Sequence, residues 1–213
     1  METIKDIEVI GGSFDYGKLK VLPHCYDRIM AAFFFCEKLE NKITNKQVEI
    51  AKWYFRAALS EFKSIFDVVG ADMKANDIKK VWDRSCIRAD LEKQPLVKVL
   101  KKARDLALHT VNIRGRSKVF PVISIDASGQ RPRSLVGLFL DPIGTNEMTI
   151  SEQQLRWFNK QAAHWPVHLL IRHALFDVSW AINNFVVLHN KTSRASNHRV
   201  ENDAADRASH PER

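Results

Sequence analysis

The chain has 213 residues, 45% hydrophobic and 27% charged, the composition of an ordinary soluble globular protein with one sizeable core or a core plus an insertion. Its three cysteines, Cys25, Cys36 and Cys86, form no CxxC pair, which reads as reduced, mostly packed thiols in a cytoplasmic protein rather than a disulfide or zinc framework. The net charge is +8. The N-terminus lacks an apolar core of signal-peptide type. The apolar stretch 169–188 is interrupted by Arg172, His173, Asp177, Asn183 and Asn184, so it suits a core helix better than a membrane span.

In chain order, residues 1–22 read as an irregular arm with a Gly11-Gly12-Ser13 turn and room for one short strand. A helical domain is expected over 23–190. Its first helix spans roughly 26–41, opened by Pro23 and buried on more than one side because Phe33, Phe34 and Phe35 cover a wide arc. The second spans roughly 45–69: Val48, Ala51, Phe55, Ala58, Phe62, Ile65 and Val69 alternate in steps of three and four, with Gly70 as its stop. Asn76 is a candidate cap for a short helix through Ile78, Val81 and Trp82. A third long helix begins near Pro95 and runs to about Val111. The period then changes to two, with strands over 119–125 and 135–140 and a turn over 126–133, a β-hairpin inserted near 117–141. A short helix follows over 151–165, with Ser151 and Gln154 set as a capping box. A last long helix over 166–190 carries Val167, Ile171, Ala174, Val178, Ala181, Phe185 and Leu188 in register. The polar tail 191–213 is expected to be disordered. The fold class is therefore mainly α, an antiparallel bundle of four to five long helices with an inserted β-hairpin.

The basic charge is concentrated. Between residues 98 and 133, Lys98, Lys101, Lys102, Arg104, Arg114, Arg116, Lys118, Arg131 and Arg133 face only Asp105 and Asp126, a local +7. Such a block suits a phosphate-backbone ligand; a solvated surface is the alternative. On the third long helix, Leu96, Val97, Val99, Leu100, Ala103, Leu106, Ala107, Leu108 and Val111 fill one broad arc. Arg104 falls inside that arc, and such a guanidinium must be paired, reach out, or face a second subunit. Pairing with Glu37 or Glu61 is one outcome, and presentation in a cleft or dimer seam is the other. His109 lies about 140° from Arg104 on an ideal helix, so one straight helix does not aim both at one phosphate; either the helix ends near His109 or a neighbouring chain completes the site. Asp105 shares the His109 face. On position alone, His109 also suits a solvated helix end stabilised by the C-terminal dipole.

The run from Pro95 to His109, read with the order of helices, resembles the motif helix of HEPN domains (higher eukaryotes and prokaryotes nucleotide-binding). Those domains carry an Arg, a polar residue, and a His after four to six intervening positions; Arg104, Asp105 and His109 match. The resemblance covers two long helices, a connecting segment, the motif helix and a last long helix. The hairpin, the helix over 151–165 and both termini lie outside it. It implies a homodimeric, metal-independent endoribonuclease of a toxin–antitoxin or antiviral-defence system, with an antitoxin or defence protein as a further partner and no cofactor. His109 would serve as general base or acid for attack of the RNA 2′-hydroxyl on phosphorus. Arg104 would stabilise the phosphorane-like charge, Asp105 would orient one of them, and the product would be a 2′,3′-cyclic phosphate. Lys98, Lys101, Lys102, Arg114, Arg116, Lys118, Arg131 and Arg133 would be RNA contacts. The family also contains non-catalytic members, so a nucleic-acid or partner-protein binding module is the alternative. Elsewhere, His168 with Arg172 and His173 with Asp177 read as surface pairs, with a second Arg/His site as the alternative, and the five tryptophans as core or interface.

Overall fold

A computed structural model describes residues 16–109, 115–126, 129–144 and 150–209, with side chains placed for all of these except 106–109, 121–126, 129–133 and 190–209. The chain is mainly helical, a bundle carrying one two-stranded antiparallel hairpin. A short 3-10 helix, Tyr16–Val21, closes the N-terminal arm, and Leu19 and Leu22 are fully buried. The rest of the arm, with its expected turn and strand, lies outside the described residues.

Helices α1 (Pro23–Thr44) and α2 (Val48–Ala75) form the central antiparallel pair. Their apolar seams meet: Ile29, Ala32, Cys36 and Leu39 on one, Ala51, Phe55, Ala58, Phe62 and Ile65 on the other, are all buried. The start of α1 is capped from a distance. Buried Asp72 on α2 accepts the Cys25 backbone N–H at 2.8 Å and the His24 Nδ1–H at 2.6 Å, serving amide groups that have no partner within the helix.

Gly70 does not stop α2, which runs on to Ala75. The real stop is a Schellman closure. Ile78 N–H donates to Met73 O and Asp77 N–H to Lys74 O, with Asp77 at φ 57°. The same closure ends α1, through Gln47 N–H to Lys42 O and Lys46 N–H to Ile43 O, with Lys46 at φ 59°. Left-handed residues that are not glycine conceal such stops from a sequence reading. Asn76 correspondingly ends α2 rather than capping a new helix. Short helices α3 (Lys79–Arg84) and α4 (Cys86–Lys93) follow, and Ser85 caps α4 through the Arg88 N–H.

Helix α5 (Pro95–His109) lies antiparallel along α2, since Lys101 meets Phe66 and Asp105 meets Lys63. Strands β1 (Gly115–Asp126) and β2 (Gly129–Leu140) pair from Gly115↔Leu140 to Asp126↔Gly129. The turn expected over 126–133 is therefore mostly strand. Pro121 and Pro132, which obscure a strand signal, are tolerated because both strands of a two-stranded sheet are edges. The hairpin base packs on α1, α6 (Glu152–His164) and α7 (Val167–Ser209). At Gly137 the strand lies so close to Pro166 that an added Cβ would stand 2.4 Å from the proline Cβ.

Ser151 caps α6 as expected, accepting the Gln154 N–H at 3.3 Å. Helix α7 passes the expected end at 190 and continues to Ser209. Residues 167–209 contain neither glycine nor proline, so nothing in the polar tail breaks the helix. Among the described residues no helix is long and apolar enough to cross a membrane.

Candidate functional site

The basic segment divides between two places. Lys98, Lys101, Lys102, Arg104 and Asp105 stand on α5, against α2, α4 and α6, whereas Arg116 and Lys118 stand at the base of the hairpin. Arg114 lies outside the described residues. Arg131 and Arg133 lie in β2 opposite Ser124 and Val122, and their side chains are outside the description.

On α5, Leu96, Val97, Val99, Leu100 and Ala103 are buried, the described part of the apolar arc; the side chains of Leu106, Ala107 and Leu108, and Val111, lie outside the described residues. The Arg104 side chain keeps 28% of its exposure. It does not pair with Glu61, which is taken by Arg28 at 3.0 Å. Among the described residues its polar contact is sequence-adjacent Asp105, with Nη1–H donating to Oδ1 at 3.3 Å, and its buried Nε–H has no acceptor there. A guanidinium carries five N–H donors in a planar fork. Here the Nε–H is buried and unanswered among the described residues, while the part of the side chain that keeps its exposure is what an oxyanion can reach.

Asp105 is the hub of this corner. Lys63 of α2 donates to its Oδ1 at 2.8 Å, tighter than Arg104 does. The Lys63 hydrogen bond, followed by that from Arg104, holds the carboxyl below its ordinary range despite partial burial. The described partners of Asp105 are thus two cations. His109 is the last residue of α5. Its side chain lies outside the described residues.

One turn N-terminal to Arg104, a cavity of about 500 Å³ opens between α4, α5 and α6. Lys98, Lys101, Lys102, Glu92, Ile150, Ser151 and Gln154 line it; Arg104 is not in its wall. The Lys101 ammonium is seated over the Phe66 ring, 4.3 Å from its centre. The hairpin cations are more occupied. Arg116 Nε–H donates to Asp141 at 3.0 Å, and Lys118 lies 5.2 Å from the centre of the Phe139 ring.

Helix α7 departs from expectation. His168 is buried rather than a surface partner of Arg172, and neither of its ring nitrogens has a partner. Desolvation, then the Arg172 charge, pushes it down from 6.5 to about 3, so the ring is neutral at physiological pH. Arg172 instead donates to Glu40 of α1 at 2.9 Å. His173 does meet Asp177, at 3.7 Å. Of the tryptophans, Trp82 is core, packed edge-on against Phe185, whereas Trp53 and Trp180 are exposed. Cys25 and Cys36 are buried and both raised to about 12, chiefly by desolvation, while Cys86 is exposed. Among the described residues no three His, Cys, Asp or Glu side chains gather as a metal site.

In comparisons with protein-family models, curated proteins and solved structures, none matched the chain.

Proposed function

We propose that this chain is a metal-independent endoribonuclease of the HEPN type, acting as a homodimer. The observation that carries the reading is the Arg104 guanidinium, partly exposed and held among the described residues by its own neighbour Asp105, on a helix that also presents Lys98, Lys101 and Lys102. That is the equipment for holding a phosphodiester as charge builds on its oxygens. His109, at the end of the same helix, would take the proton of the RNA 2′-hydroxyl as the oxygen attacks phosphorus, or return a proton to the departing 5′-oxygen. The strand breaks with a 2′,3′-cyclic phosphate on one side and a 5′-hydroxyl on the other. Asp105 would position Arg104 through their hydrogen bond.

The angular offset between Arg104 and His109 calls for a second protomer to complete each site. Sedimentation should find a dimer at micromolar concentration; a strict monomer there overturns the two-protomer part.

Cleavage itself is tested with RNA and protein in EDTA. Wild type should leave cyclic phosphate ends, and Arg104→Ala and His109→Ala should each lose about a hundredfold or more in rate. Equal products from all three proteins would sink the assignment.

The ion pairs of Asp105 favour one second reading. They place a negative charge beside Arg104 and neutralise part of the cation needed for catalysis. On that reading the chain is a nucleic-acid-binding module without cleavage, and binding without products would decide for it.

A further inference from the structure

The α4–α5–α6 cavity is lined by lysines without a carboxylate partner among the described residues, unlike Lys52, Lys63 and Lys79. Lys52, Lys63 and Lys79 each have a carboxylate partner, in Glu49, Asp105 and Asp83. Lys98, Lys101 and Lys102 have none among the described residues, although they line one cavity. The carboxylate in that wall, Glu92, accepts Arg88 Nε–H at 3.1 Å and is already balanced. Three lysines therefore line one concave site without a carboxylate partner of their own among the described residues, the Lys101 ammonium resting on the Phe66 ring. Their repulsion, strengthened by low-dielectric walls, is relieved by an anion. Helix α6 starts at the same wall, and its amide end has the same sign.

We propose that this cavity binds a terminal phosphate group, as carried by the 5′ end of an RNA strand or by a free nucleotide. Charge selects the terminal group. An internal phosphodiester brings one negative charge, too little for three unpaired lysines, whereas a phosphate monoester brings about −1.5 to −2 and a polyphosphate more. Size agrees, since about 500 Å³ falls within the range of small-molecule sites. Ile150 supplies an apolar wall and Gln154 an amide able to donate and accept, which suits the sugar and base that follow the phosphate. The proposal deepens the RNA-binding part of the function above and is independent of the cleavage step.

The experiment measures fluorescence anisotropy of one RNA sequence bearing either a 5′-triphosphate or a 5′-hydroxyl. It uses the full chain with His109→Ala, so that strands stay intact. The triphosphate end should bind about tenfold tighter. Lys98→Gln with Lys102→Gln should erase the difference, while Arg104→Ala should keep it. Both lysines are exposed, so circular dichroism should show an unchanged fold; inorganic triphosphate, which should abolish the preference on the parent protein, gives a reading free of mutation. Direct binding of a nucleoside triphosphate with similar affinity identifies a free nucleotide as the ligand. Failure of that compound beside a retained preference for the triphosphate RNA identifies the strand end. Equal binding of both RNAs with no nucleoside triphosphate binding overturns the proposal, as does a preference that survives the double substitution.

Discussion

Helices α5 and α7 each carry an arginine and a histidine within two turns, and the structure treats them in opposite ways. On α7, Arg172 is met by Glu40 across the helix interface and His168 is sealed in neutral form. On α5, no described carboxylate of a facing helix pairs with Arg104; its described polar contact is its own neighbour Asp105, and Lys63 competes for the same oxygen. One arginine is spent on holding two helices together. The other is desolvated in part and left with donors to give. Residue type sets what each side chain can do, and the facing helix decides whether that capacity is used internally or kept for a ligand.

The largest expected effect separates these arginines by activity. Added to the EDTA assay, Arg172→Ala should retain cleavage once the fraction folded is accounted for, whereas Arg104→Ala should lose about a hundredfold or more. Comparable losses in both would erase the distinction.

A smaller effect concerns the sealed histidine. The folded ring of His168 is depressed from 6.5 to about 3, so the unfolded chain binds more protons between those values. Its neutral burial is fully tolerated above about pH 6.5, and stability falls on acidification through the window, at up to about 1.4 kcal/mol per pH unit. His168→Leu removes that slope. Urea unfolding near neutrality and again in mild acid should show the variant losing less stability than wild type. Parallel losses would mean that the ring is solvated.

The smallest effect lies in the α1–α7 pair. Glu40 and Arg172 each keep about a third of their exposure, so Glu40→Gln should cost only about 1 kcal/mol by denaturant midpoint. A loss several times larger would indicate a guanidinium stranded without its partner, and Arg172 would then resemble Arg104 in need as it does in exposure.

The long helices were legible because their burial is periodic. The α2 seam from Val48 to Val69 and the α7 seam from Val167 to Phe185 follow from spacing alone, and so does the Ser151 cap. Their ends were less legible. Lys46 and Asp77 stop helices in the left-handed conformation without glycine, while Gly70, the expected stop, lies mid-helix. The hairpin was legible in kind but short in extent, because Pro132 and Gly129 look like turn residues until the pairing with Ile123 and Asp126 is seen. In the candidate site, Arg104 stood out as a charge in an apolar arc. The clustering of Lys98, Lys101 and Lys102 with Ser151 and Gln154 around a cavity carried no sequence signal, since about fifty residues separate the two walls. Lys63, the tightest partner of Asp105, is equally remote, 42 positions away.

By itself, then, the sequence determined that this chain is a helical bundle with a hairpin, that its excess charge gathers around α5, and that Arg104 breaks an apolar face. Those properties are local, written in spacing and composition. The tertiary structure alone decided that Arg172 has a carboxylate across from it while the Arg104 Nε has no acceptor among the described residues, that His168 is buried, and that three lysines without a described carboxylate partner line one cavity. Charge pairing and desolvation depend on distances across helices, and only the packing of α2, α5, α6 and α7 sets those distances.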